Sequence, residues 1–224
     1  MIGQEQFLAT IFWARELPPD EQERARRGLS FRNLDAGSYL IHRGDRVESW
    51  IGVVSGLMRL GSVTTSGKAV TYAGLPPSNW FGEGSLLKDE PRQYDVLVLR
   101  RTQVALLNRA SFHWLCDNSV AFNKLLLRLL NERIGQFIAS VEHDRTLHST
   151  AKVARSLAWL FNPVLSPFLG THLEINQEEI GLLAGVSRPV ANRALQELEQ
   201  AGLIHNEHGG VRVRDLDRLR RYDG

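Results

Sequence analysis

The side chains best equipped to recognise a ligand lie near the C-terminal end. Arg188, Asn192, Arg193 and Gln196 follow at spacings of four, one and three residues, so on a helix they share one face. Arginine pairs bidentately with guanine and asparagine with adenine, each pairing worth about 1–3 kcal/mol of discrimination. The opposite face carries Ala191, Ala194, Leu195 and Leu198, which are apolar throughout. A helix of this kind suits a DNA major groove, with its N-terminal half against the bases. Before it, Gly185 permits a tight turn, Val186 fills the angle between helices, and Ser187 is a natural N-cap. Pro189 is tolerable only because it falls in the first turn, where no intrahelical N–H bond is lost. The segment Ile175 to Ile204 therefore reads as a helix-turn-helix, its first helix burying Ile180, Leu183 and Ala184.

The expected DNA contacts are Gln177, Ser187, Arg188, Asn192, Arg193 and Gln196, with Ser187 and nearby backbone N–H groups facing phosphate. Leu203-Ile204 and Val211-Arg212-Val213 flank Gly209-Gly210, a hairpin turn. That predicts a β-wing whose Arg212 and His208 touch the DNA backbone. The competing reading is an ordinary helical hairpin with solvated polar faces.

Other chemistries find little support. There is no G-x-S-x-G elbow, P-loop, H-E-x-x-H or GxGxxG pattern, so the chain reads as a non-enzyme. Its single cysteine, Cys116, excludes an intramolecular disulfide and an iron–sulfur cluster within one chain. Beside Trp114 and Leu115 it reads as packing. Haem would need His42, His113 or Cys116 as an axial ligand, and nothing sets these apart. The His143/His148 and His205/His208 pairs lack a cysteine or carboxylate pattern, so no metal is expected.

These residues need elements to hold them. Hydrophobic residues make up 43% and charged residues 23% of 224, an ordinary globular balance. Pro18-Pro19 followed by Asp20 and Glu23 has capping-box spacing and predicts a short helix over 20–29. From Ala36 to about Asn108, short apolar runs alternate with glycine turns, among them Gly44-Asp45, Ser55-Gly56 and Ser66-Gly67. Strands about every ten residues predict a small antiparallel barrel or sandwich.

After Asn118, Leu127, Leu130, Ile134, Phe137 and Val141 recur at spacings of 3, 4, 3 and 4. That coiled-coil rhythm predicts a parallel homodimer, with Phe122, Leu126, Leu129 and Ile138 covering the barrel. A long helix lying on its own barrel is the alternative. His143 to Ser149 breaks the rhythm and is the expected hinge. The predicted organisation is 1–117 as sensor domain with flanking short helices, 118–148 as dimerisation helix and hinge, and 149–224 as DNA-binding domain.

Net charge is only +2, and residues 150–224 hold nine Lys or Arg against nine Asp or Glu. Any phosphate affinity must therefore come from placement. No apolar run approaches the roughly 20 residues a membrane span needs, and Met1 to Ala14 lacks the pattern of a signal peptide. The reading is a soluble, cytoplasmic chain with no membrane partner.

From about residue 20 to residue 221 the chain resembles the Crp/Fnr superfamily of transcription regulators. The resemblance is most specific at Gly37–Asp45, Ser55–Leu60, Trp80–Arg92 and Ile175–Ile204. It implies an α+β chain with an N-terminal β-roll (a cyclic-nucleotide-binding-like jelly roll), a long dimerisation helix and a C-terminal winged helix-turn-helix. It also implies a phosphate cassette, here Phe81 to Leu87 followed by Pro91-Arg92. Gly82 and Gly84 would let backbone N–H groups approach an anion, Arg92 would supply charge, and Glu83 would accept from a ribose hydroxyl.

The expected effector set is Gly82, Glu83, Gly84, Arg92 and Gln93, taking cyclic AMP, another nucleotide, or no ligand. Gln93-Tyr94 departs from the small pair usual in cyclic-nucleotide binders, and Phe137-Ile138 replaces hydroxyl residues that touch adenine. Both departures argue against the same adenine contacts, and an internal Glu83–Arg92 ion pair is the structural alternative. The resemblance further implies that loop 162–171 meets RNA polymerase. Beside a DNA-binding regulator stands one rival: a ligand-binding signalling module whose helix-turn-helix binds protein. A protein-binding face should expose apolar anchors, and Arg188, Asn192 and Arg193 are none.

Overall fold

The computed structural model describes residues 4–63 and 69–223. α1 (Gln4–Thr10), a 3-10 turn (Phe12–Glu16) and α2 (Pro19–Gly28) precede the strands. These are β1 (Leu29–Leu34), β2 (Tyr39–Ile41), β3 (Ser49–Ser55), β4 (Met58–Val63), β5 (Ala69–Leu75), β6 (Trp80–Phe81), β7 (Asp95–Val98) and β8 (Thr102–Asn108), with α3 (Glu83–Lys88) between β6 and β7. Then come α4 (Arg109–Asn118), α5 (Val120–Thr146), α6 (Ser149–Leu160), β9 (His172–Glu174), α7 (Gln177–Ala184), α8 (Arg188–Gln200), β10 (Ile204–Glu207), β11 (Gly210–Val213) and α9 (Leu216–Arg221).

Two antiparallel four-stranded sheets, ordered β1-β8-β3-β6 and β2-β7-β4-β5, close on a core that includes Ile51, Val53, Met58, Phe81, Val96, Val98 and Val104. The alternation of strand residues supplies this face, and the expected antiparallel roll is what forms. The turn expected at Ser66-Gly67 lies outside the described residues. A second core gathers the N-terminal turn, α4 and the first half of α5 around Trp13, Trp50, Trp80, Phe112 and Phe122. Trp50 and Trp80 lie with ring centroids 4.5 Å apart. Gly52 permits this, because a Cβ there would fall 2.2 Å from the Trp80 ring. A third core joins α6 to α9 and the wing, and takes in Leu57 from the roll.

Three expectations need correction, and one strand was not foreseen. α2 begins at Pro19 with no side-chain cap, since Asp20 lies inside the first turn and Glu23 pairs with Arg26 and Arg27 instead. The wing turns at His208-Gly209 rather than Gly209-Gly210: Glu207 pairs with Gly210, and Gly209 takes the positive φ of 79°. β9 joins the wing sheet beside β11, a strand of three residues too short to leave a periodicity. On α5, Phe122, Leu126 and Leu129 are buried, but Ile138 is 65% exposed. It joins the outward stripe with Leu127, Ile134, Phe137 and Val141, while Leu130 is half-buried. The stripe does not lie on its own barrel.

Of the expected hinge, side chains 143–146 lie outside the described residues; the chain leaves α5 at Thr146 and enters α6 at Ser149. The domains meet beyond that point in two places. Loop 162–170, after α6, runs back onto the roll: Leu165 sits in the tryptophan core, Asn162 donates to Glu132 of α5 at 2.6 Å, and Asn79 donates to Ser166. Phe168 packs edge-on against Phe12, under the Arg15 guanidinium. Elsewhere Arg100 grips Glu179 through three hydrogen bonds of 2.9 to 3.1 Å, and the Thr71 hydroxyl donates to the Leu182 carbonyl.

Candidate nucleic-acid interface and sensor cassette

α7 starts on a capping box. The Asn176 side chain accepts from the N–H groups of Glu178 and Glu179, and Glu179 accepts from Asn176 N–H at 2.6 Å. That satisfies orphan donors at both ends of the first turn. Glu179 thus serves the cap and the Arg100 contact at once. The N-x-x-E spacing before Ile180 was legible in the sequence; the reach of Arg100 was not. α7 ends at Gly185 with φ 67°, as the turn requires. α8 then buries Ala191, Ala194, Leu195 and Leu198, the four expected residues.

Its other face is open. Ser187, Arg188, Arg193 and Gln196 are exposed together. Ser187 stands at the N-cap without a side-chain capping bond, which leaves its hydroxyl for an outside acceptor. Among the described residues neither Arg188 nor Arg193 takes part in an ion pair. Asn192 is half-buried and accepts from the Gln177 amide at 2.9 Å. Arg212 is exposed on the wing but tied to Glu207 at 2.6 Å. That bond holds the Glu207 carboxyl below the usual carboxylate range. His208 is exposed at the turn.

The sensor cassette is folded onto itself. Gly82 has φ 93°, and its carbonyl accepts from Arg92 at 2.8 Å. The second Arg92 nitrogen donates to the Ser49 carbonyl at 2.7 Å. Glu83, 3% exposed, accepts from the Trp50 indole N–H at 3.2 Å and forms an ion pair with Arg133 of α5. Arg133 also donates to the Trp80 carbonyl. The Glu83–Arg92 ion pair is thus corrected: Glu83 pairs with Arg133, and Arg92 turns to backbone carbonyls. Arg133 was not singled out because nothing local marks it, and only the docking of α5 brings it to the cassette.

Tyr94 sits half-buried beside Arg92, and burial pushes its hydroxyl pKa up. Burial likewise pulls the Arg92 guanidinium down, opposed by Tyr94 and then Glu83. Gln93 is exposed and folds onto the Pro91 carbonyl at 3.0 Å. A Cβ on Gly84 would meet nothing within 4 Å, so its backbone is approachable.

The remaining candidates occupy ordinary places. His148 accepts from the Ala151 N–H at the start of α6, His205 pairs with Glu199, and His143 lies outside the described residues. Burial, and then Asp117, push the Cys116 thiol up to about 11, so it stays protonated at neutral pH. No described helix is long and apolar enough to cross a membrane.

The fit of a nucleotide can be judged from these groups. Arg92, Glu83 and the Gly82–Gly84 backbone have the chemistry for a phosphate and a sugar hydroxyl. Phe137 and Ile138, the α5 residues that the resemblance sets opposite an adenine, are exposed and offer no hydrogen-bonding group. The residues suit the sugar–phosphate half, not the adenine edge.

Comparison with known proteins agrees with this geometry. A cyclic nucleotide-binding domain model matches residues 31–119, and a Crp-like helix-turn-helix domain model matches residues 151–222. The chain is 29% identical to the cyclic AMP receptor protein of Thermus thermophilus, over 89% of this chain and 90% of that protein. It is 27% identical to a CRP-like cAMP-activated global transcriptional regulator of Mycobacterium tuberculosis, over 75% of this chain and 77% of the relative. The solved structure of FixK2 from Bradyrhizobium japonicum superposes with a TM-score of 0.70 at 18% identity, covering 88% of this chain and 98% of that one. That last likeness concerns the fold.

Proposed function

This chain belongs to the Crp/Fnr family of DNA-binding transcription regulators, and we propose that it acts in the cytoplasm as a homodimer whose two recognition helices read a two-fold operator under control of the β-roll. The observation that carries the DNA reading is the open face of α8. Two arginines without carboxylate partners among the described residues, a Ser187 hydroxyl not used in capping and Gln196 stand together on a helix whose back is locked into a core. Arg188 and Arg193 are the base readers, Ser187 a phosphate contact, and Arg212 a wing contact once it leaves Glu207. Residues 1–117 form the sensor, 118–148 the dimer helix and hinge, and 149–224 the DNA-binding domain. The outward stripe on α5, with Leu127 67% and Phe137 65% exposed, supports a second subunit packing there. Such a dimer sets its two recognition helices roughly 34 Å apart, one turn of DNA.

The effector is a nucleotide held through phosphate and sugar. It takes Arg92 from the Gly82 and Ser49 carbonyls, and Glu83 from its internal partners. Because Arg133 comes from α5, any rearrangement at Glu83 acts on the dimer helix directly. RNA polymerase is the partner expected at the exposed residues of loop 162–171, which are Pro163, Pro167, Phe168, Gly170 and Thr171.

Two measurements test this. Arg188→Ala should weaken binding to a selected operator by about 1–3 kcal/mol, read by fluorescence anisotropy; unchanged binding removes Arg188 as a base reader. Calorimetric titration with cyclic AMP and cyclic GMP should give similar binding for both, lost in Arg92→Ala. No heat from either rejects the nucleotide reading, and a strong preference for one base rejects the sugar–phosphate mode.

A further inference from the structure

Gln177 opens α7 and Asn192 lies mid-way along α8, yet the Gln177 amide nitrogen donates to the Asn192 carbonyl oxygen at 2.9 Å. A primary amide has one acceptor oxygen and one donor NH2. Joining two of them by one hydrogen bond leaves one carbonyl and one amino group unused by that bond. This remains true if both amides are turned over, since donor and acceptor merely exchange owners. What the pair has left to offer a ligand is therefore one donor and one acceptor, whichever orientation holds.

In the major groove adenine presents an acceptor, N7, beside a donor, the N6 amino group. Guanine presents two acceptors, cytosine a donor, and thymine an acceptor and a methyl group. Among single bases only adenine complements a neighbouring donor and acceptor. The pair is also placed to meet a base: Asn192 stands one helical turn from both Arg188 and Gln196, which are exposed. Both amides are half-buried and already fixed by their mutual bond, so little side-chain freedom is lost on binding. Gln177 itself is anchored by the capping box that begins at Asn176.

We propose that Gln177 and Asn192 act as one adenine-reading unit drawn from both helices, making Gln177 a base-specificity residue and not a phosphate contact. This rests on the DNA-binding reading above.

The test starts with selection of preferred operators from randomised DNA by the purified full chain. Affinities follow for wild type, Gln177→Ala, Asn192→Ala and the double variant, on duplexes changed one base pair at a time. The expected result is that both single variants lose preference for the same A·T pair, by about tenfold. The double variant should be no worse than either single one, as for residues acting together. Gln177→Glu leaves only acceptors facing outward and should turn the preference at that pair toward cytosine, with preferences elsewhere kept.

The proposal is overturned if Gln177→Ala weakens every duplex equally, as loss of a phosphate contact would, or relaxes a different base pair. In either case wild-type specificity stands and the DNA-binding reading survives. If wild type prefers no sequence at all, both readings fall together.

Discussion

Gly82 shows how closely the cassette is fitted. Its backbone has φ 93°, and a Cβ there would lie 2.2 Å from an Arg92 nitrogen. Gly82→Ala therefore adds left-handed strain of about 1–2 kcal/mol to overpacking of about 1–3 kcal/mol. A loss near 3 kcal/mol in urea unfolding is expected, and an unchanged midpoint would mean that Arg92 is not held there. Gly84, with open space around its Cα, should accept alanine at far smaller cost. The cassette glycines thus do different work: one fixes Arg92 and the other keeps the backbone open. The family resemblance had treated them as equivalents, because a sequence shows which residues are glycine but not which neighbour leans on them.

Among the elements, α7 and α8 were the most legible, since their signals are local: an apolar back, a turn glycine, a proline confined to the first turn. β9 and the one-residue shift of the wing turn were not, because both depend on which strands pair. The cassette was half legible in the same sense. Glu83 and Arg92 were implied by the family resemblance, but their partners come from Ser49, Trp50 and Arg133, far off in the chain. The clasp between Arg100 and Glu179 is another contact of this kind, and it joins two elements of different domains. Glu179 is buried, so Arg100→Ala leaves a carboxylate short of its main cationic partner. Arg100 is itself partly exposed, which moderates the cost to about 1–3 kcal/mol. Thermal unfolding would detect it. A variant that melts like wild type would mean that the capping box alone satisfies Glu179.

For the molecule as a whole, the decisive feature is the loop after α6. Leu165 is 4% exposed inside the tryptophan core of the other domain, with Asn162 and Ser166 hydrogen-bonded on either side. Leu165→Ala should cost about 2–5 kcal/mol and uncouple the two halves. Wild type is expected to give one calorimetric transition and the variant two; two transitions in wild type would refute the coupling. The same loop bears on how such chains are recombined. A cut at residue 148 looks like a clean seam for attaching this DNA-binding domain to a foreign sensor. It would nevertheless strand Leu165 without its bed of tryptophans, and Phe168 without Phe12 and Arg15. A working chimaera would have to carry along not only the N-terminal turn but also the strands that bring Trp50 and Trp80, so the DNA-binding half is not transplantable as one continuous stretch of sequence.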